Sequence, residues 1–129
     1  MAGRSESVWA IDIGNSSLKA LRLSTERGAL EVADFENIRH GKILAGSGVT
    51  QEEREELIAL SLRRFVDKHD LSMDEVVVSV PSQNSFARFV NLPPVEKKRI
   101  AEIVKFEAVQ QIPFDINEVQ WDWQLMSEE

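Results

Sequence analysis

Residues 10–24, "AIDIGNSSLKALRLS", decide how this chain is read. Aliphatic residues surround Asp12, a turn of Gly14, Asn15, Ser16 and Ser17 follows, and Lys19 stands at the start of a second apolar run. A carboxylate at the end of a buried strand loses solvation and needs a partner: backbone donors, a lysine or a metal ion. Glycine lets the backbone approach a ligand closely, while Asn and Ser add side-chain donors beside exposed N–H groups. Lys19 can bring positive charge to the same place. A carboxylate for Mg²⁺ (direct or through water), a tight polar turn for phosphate oxygens and a lysine for their charge describe a nucleoside-triphosphate site. The plainer reading is a Gly-Asn hairpin with a hydrogen-bonding aspartate and a solvated lysine, and spacing alone leans towards it.

Outward from this stretch, residues 8–13 and 18–23 read as strands, apolar on more than one face and so expected inside a sheet covered on both sides. After a loop at 26–28, a third strand is predicted over about 29–35, completing a meander. The segment "RHGKILAGSGVT", 39–50, holds three glycines and a lysine. A P-loop ends in Gly-Lys-Ser/Thr, whereas Gly41-Lys42 comes first here, so the segment reads as a loop. Thr50 and Glu53 form a capping box at the head of a helix. Leu57, Ile58, Ser61, Leu62, Phe65 and Val66 give that helix an apolar stripe, and it should stop near His69. "EVVVSVP", 75–81, has the β-branched run of a buried strand ended by proline.

Beyond it, "SFARFVNL", 85–92, suggests a further strand closed by Pro93-Pro94. Pro94 suits the first position of a helix running to about Gln111, with Ile100, Ile103, Val104 and Ala108 inward. Residues 119–125 alternate Val119, Trp121, Trp123 and Leu125 with polar residues, the pattern of a strand with one wet face. The element order is β-β-β-α-β and then β-α-β, an α/β chain with a mixed sheet. The expected divisions are a loose end at 1–7, a first subdomain at 8–80 and a second at 81–129, with Pro81 at the boundary.

The chain has 129 residues, enough for a core without disulfide or metal support. Its 22 acidic and 15 basic residues give a net charge of -7, which argues against a nucleic-acid partner. A nucleotide is not excluded, because backbone N–H groups and one lysine can hold its phosphates. Cysteine is absent, removing disulfides and thiolate chemistry. No apolar run reaches the ~20 residues of a membrane span, and the first residues lack the apolar core of a signal peptide. The cytoplasm is the expected compartment.

Other candidates carry less. His40 and His69 are far apart in sequence, and a metal or catalytic role is not expected of either; His69 suits a helix C-terminus. Ser82 and Ser85 lack the Gly-x-Ser-x-Gly elbow of a hydrolase. Arg63-Arg64 and Lys97-Lys98-Arg99 read as solvated helix faces. Trp121 and Trp123 read as core, with a groove for an extended peptide as the functional alternative.

"IDIGNSSLKA" resembles the first phosphate-binding motif of the actin, sugar-kinase and Hsp70 superfamily. The stretch from Val76 to Met126 resembles the PilM family, the actin-like proteins of type IV pilus assembly. Phe106-Glu107-Ala108, Gln111-Ile112-Pro113-Phe114 and residues 119–125 carry that second likeness. The resemblance implies an actin-like (ribonuclease H-like) subdomain 1A, partial, with an inserted FtsA-like β-α-β small subdomain. It implies ATP and Mg²⁺ as cofactors, with Asp12 organising the metal, Gly14, Asn15, Ser16 and Ser17 touching phosphates and Lys19 reaching them from the side. It also implies a scaffold role in pilus or related secretion assembly. That role includes docking the cytoplasmic tail of a PilN-like membrane protein, hence a place at the inner membrane through partners. Family members run to more than twice this length, and no Asp-x-Gly-Gly loop occurs here. The chain is therefore expected to be an N-terminal portion that binds little nucleotide itself, is no enzyme, and self-associates through surface its missing half would cover, within a parent that is at most a weak ATPase. The alternatives are the N-terminal part of a sugar-kinase-like phosphotransferase and a nucleotide-free interaction module.

Overall fold

The structure, a computed structural model, describes residues 6–81 and 85–126. Two compact units divide the chain, Met1–Ser85 and Phe86–Glu129.

In the first unit, β1 (Ser7–Ile13), β2 (Ser17–Ser24) and β3 (Glu31–Arg39) form the expected antiparallel meander. The helix α1 (Gln51–Lys68) then carries the chain back, and β4 (Glu75–Ser79) pairs parallel to β1. The sheet order is β3-β2-β1-β4. A meander needs only short turns, whereas the parallel β1–β4 pair needs a crossover, which α1 supplies. Ser7, expected in the loose end, is the first residue of β1 and is buried. The third strand begins and ends later than expected. Its pairing with β2 sets its limits, with an irregularity opposite Arg22 and Leu23.

The core lies on one face of the sheet. Trp9, Ile11, Ile13, Leu18, Ala20 and Ile38 meet Phe65 of α1, with Ile58, Leu62 and Leu71 packed around them. Trp9 and Phe65 meet edge to face, centroids 5.0 Å apart, an arrangement favoured by the ring quadrupoles. Thr50 caps α1 by accepting the Glu53 N–H at 3.1 Å, one half of the expected capping box; the Glu53 carboxylate pairs with Lys42 instead. The helix ends at His69 as expected, but Val66 falls outside the stripe and is exposed.

The expectation of a sheet covered on both sides is overturned. Ala10, Asp12, Lys19, Leu21, Val32 and Phe35 lie on the other face and are exposed, Phe35 at 74%. The buried reading of β4 fails as well: it is an edge strand, and Val76, Val77 and Val78 are all exposed. A β-branched run reports strand propensity, not what stands beside the strand.

Two strand expectations fail in the second unit, where the described residues contain one helix, α2 (Lys97–Gln111), and no strand. Residues 86–92 and 119–125 are irregular, because strand propensity forms no ladder without a partner for each N–H and C=O. The core reading of the tryptophans goes with them: Trp123 is 40% exposed and Trp121 half-buried. The helix starts at Lys97 rather than Pro94, with Glu96 at the cap and Ile100 buried. Ile112 ends it, its N–H donating to the Ala108 carbonyl.

Candidate functional site

Asp12 is the penultimate residue of β1 and Lys19 the third of β2. The antiparallel register makes them direct cross-strand partners. Both lie exposed on the sheet face that α1 leaves open, and no ion pair joins them. Neighbouring β4 adds Ser79, whose hydroxyl donates to Asp12 Oδ1 at 2.5 Å. One carboxylate oxygen is thereby oriented and the other stays free of that bond. Asp12 is thus not buried as the sequence suggested, since β1 buries only alternate residues.

Between the two strands the chain reverses in three residues. The Gly14 N–H donates to the Ser17 carbonyl at 3.0 Å and closes the turn. A Cβ on Gly14 would stand 3.2 Å from that carbonyl oxygen and 3.9 Å from Asp12 Oδ2. Closeness rather than backbone conformation favours glycine here; the left-handed backbone occurs at Gly28 and Gly41 instead. Asn15 and Ser16 are exposed and Ser17 is buried. The six predicted residues Asp12, Gly14, Asn15, Ser16, Ser17 and Lys19 thus gather at one end of one hairpin.

The glycine-rich segment read as a plain loop is also part of this site. The His40 N–H donates to the Ser16 carbonyl at 3.0 Å and the Leu44 N–H to the Asn15 carbonyl at 2.8 Å. Leu44 is 1% exposed. Its loop is held to α1 by an ion pair between Lys42 and Glu53 and by Arg54 Nε donating to the Leu44 carbonyl at 3.0 Å. Sequence reasoning missed His40, Leu44 and Ser79, whose roles depend on strand register and a loop path that no local motif records.

The arrangement has one carboxylate and no cage. Among the described residues no three His, Cys, Asp or Glu side chains could hold a metal ion together. A lone, oriented carboxylate fits Mg²⁺, which keeps several waters and takes one or two carboxylates beside phosphate oxygens. Asp12 would hold it, and the ion would neutralise phosphate charge.

Away from the site, Arg22 donates to Asp74 through Nε at 3.0 Å and Nη2 at 2.9 Å, and Ser7 donates to the same carboxylate. The Arg22 hydrogen bond holds the Asp74 carboxyl below the usual range and keeps Arg22 more firmly charged. His69 stands 3.3 Å from Glu36 and 3.4 Å from Asp34. Its hydrogen bond depresses the Glu36 carboxyl. A role at the helix end thus extends to joining α1 to β3.

Among the described residues no helix is long and apolar enough to cross a membrane. No curated protein matches the chain. Several solved structures are similar in part, two of which follow. A Ppx/GppA phosphatase from Aquifex aeolicus, in its type II variant, is 22% identical over 56% of this chain and 25% of its own, with a TM-score of 0.39. A second structure, a Ppx/GppA family member from the same organism, is 19% identical over 84% of this chain and 33% of its own, at 0.43. The chain thus spans a third or less of these structures. The model of the type IV pilus assembly protein PilM matches residues 10–129, nearly the whole chain, and the chain belongs to that family.

Proposed function

We propose that the hairpin from Asp12 to Lys19 is one wall of an ATP–Mg²⁺ site in an actin-like pilus-assembly scaffold. The observation that carries the reading is the pairing of Asp12 with Lys19 across the sheet, at the mouth of a turn closed by Gly14. Two opposite charges side by side in solvent, without an ion pair between them, suit a ligand that uses both. Asp12 takes Mg²⁺, the backbone of Asn15 and Ser16 takes phosphate oxygens, and Lys19 offsets their charge. Bound nucleotide sets the state in which the protein recruits the cytoplasmic tail of a PilN-like membrane partner, which brings it to the inner membrane from the cytoplasm. Family membership supports the assembly role; the partner and the compartment are proposals.

Calorimetry of the full-length gene product with Mg-ATP tests this reading. Saturable binding that weakens about tenfold in Lys19→Ala is expected, the worth of one charge-assisted contact. Absence of binding by the wild type, or equal binding by Lys19→Ala, overturns it. Titration with a PilN-like tail peptide tests the docking separately.

A further inference from the structure

Three consecutive carbonyls of the turn point at one segment. The Gly14 carbonyl accepts from His40 Nε2 at 3.0 Å, the Asn15 carbonyl from the Leu44 N–H at 2.8 Å, and the Ser16 carbonyl from the His40 N–H at 3.0 Å. In a trans peptide the N–H points opposite to the C=O of the same unit. The N–H groups of Asn15, Ser16 and Ser17 are therefore turned away from residues 40–44, in the manner of an anion-binding nest.

Two of these three bonds are donated by backbone N–H groups, which any residue but proline could supply. The third needs a side chain, and His40 supplies it while only 5% exposed. A carbonyl can only accept, so Nε2 carries the hydrogen. In the neutral ring Nδ1 then accepts, and Ser61 Oγ lies 2.7 Å from it. Ser61 is 1% exposed in the middle of α1, where an alanine would pack with no polar group to satisfy. The buried chain from Ser61 through the imidazole to Gly14 does more than fill space. What it fixes is the tautomer of His40 and the direction of the first peptide of the turn.

We propose that His40 is a positioning residue for the phosphate turn. Held as the Nε2–H form by the Gly14 carbonyl and braced at Nδ1 by Ser61, it draws that carbonyl back and aims the Asn15 N–H at the phosphate oxygens of a nucleotide. The inference rests on the phosphate reading above, and His40 itself touches no ligand.

The test compares His40→Leu, His40→Gln and Ser61→Ala in the full-length gene product. Mg-ATP affinity is measured together with the amide resonance of Asn15 and the ¹⁵N signals of the His40 ring. His40→Leu should lose about tenfold in affinity, the effect of one misplaced donor. His40→Gln, whose amide places an N–H where Nε2 stood, should stay within about threefold of the wild type. Ser61→Ala should keep the Nε2–H form, which the Gly14 carbonyl requires, but leave Nδ1 without its donor and loosen the ring, with a smaller loss of affinity and a moved Asn15 resonance. Wild-type affinity in a folded His40→Leu, or equal losses in Leu and Gln variants, overturns the proposal. So does an Nδ1–H ring in the wild type. If the wild type binds no Mg-ATP, the phosphate reading falls. The Asn15 resonance then decides alone: moved by Leu and restored by Gln supports positioning, and unmoved overturns it. Should His40→Leu not fold, Ser61→Ala carries the test, and an unmoved Asn15 resonance with unchanged affinity overturns the idea.

Discussion

Gly14 and Asp74 show how much single residues decide. A Cβ on Gly14 would meet the Ser17 carbonyl at 3.2 Å, so the turn must give by a few tenths of an ångström to admit it. Gly14→Ala should therefore cost the proposed site about tenfold or more in Mg-ATP affinity while global stability changes by only about 1 kcal/mol, read by calorimetry and urea unfolding. Unchanged affinity would count against the turn as the binding element. Asp74 has a side chain only 3% exposed and takes two bonds from Arg22, which is 26% exposed. Asp74→Asn should destabilise by about 1–3 kcal/mol near neutral pH, the range for a hydrogen bond to a charged group. The folded carboxyl is held below its ordinary value, so its stabilisation is fully present above about pH 4 and is lost as the pH falls through the depressed value. Urea titrations of both proteins at about pH 6 and about pH 3 should show the gap between them closing. The Arg22–Asp74 pairing was not legible in the sequence, where the two are merely charged residues 52 apart.

At the scale of elements, α1 was the best-read feature because its signals are local. Thr50, Glu53 and the residues three and four apart act within one helix, and the capping bond and buried Phe65 follow. Phe65→Ala should cost about 3–5 kcal/mol by denaturant unfolding, since the ring is fully buried against Trp9. Val66→Ala, one position away and 53% exposed, should change stability by no more than about 0.5 kcal/mol. A comparable loss at both positions would show that the core lies elsewhere. β1 and β2 were equally legible, joined by a short turn between two apolar runs. Residues 119–125 show the opposite case. Their alternation is the most regular in the chain, yet they form no strand, because alternation specifies faces and a strand also needs a neighbour.

On the scale of the molecule, the sheet of the first unit has one covered and one open face. Phe35 at 74%, Val32 at 58% and Val77 at 55% exposed lie on the open side, beside β4, an edge strand of three valines without a lysine or proline among them. Apolar surface and an unprotected edge favour association. Light scattering of this chain should show mass rising with concentration. Val77→Lys combined with Phe35→Ser should suppress the rise without loss of fold; a wild-type monomer at high concentration would refute the expectation. The sequence alone determined the hairpin, its Gly14–Ser17 turn and the capped helix, since all are set by interactions between near neighbours. Tertiary structure alone decided that Ser79 joins Asp12 and Lys19 on an open sheet face, and that His40 and Leu44 hold the turn from behind. Those placements depend on the parallel β1–β4 register and on the path of the loop before α1. Both are fixed by burial and pairing across long separations, which short-range pattern does not encode.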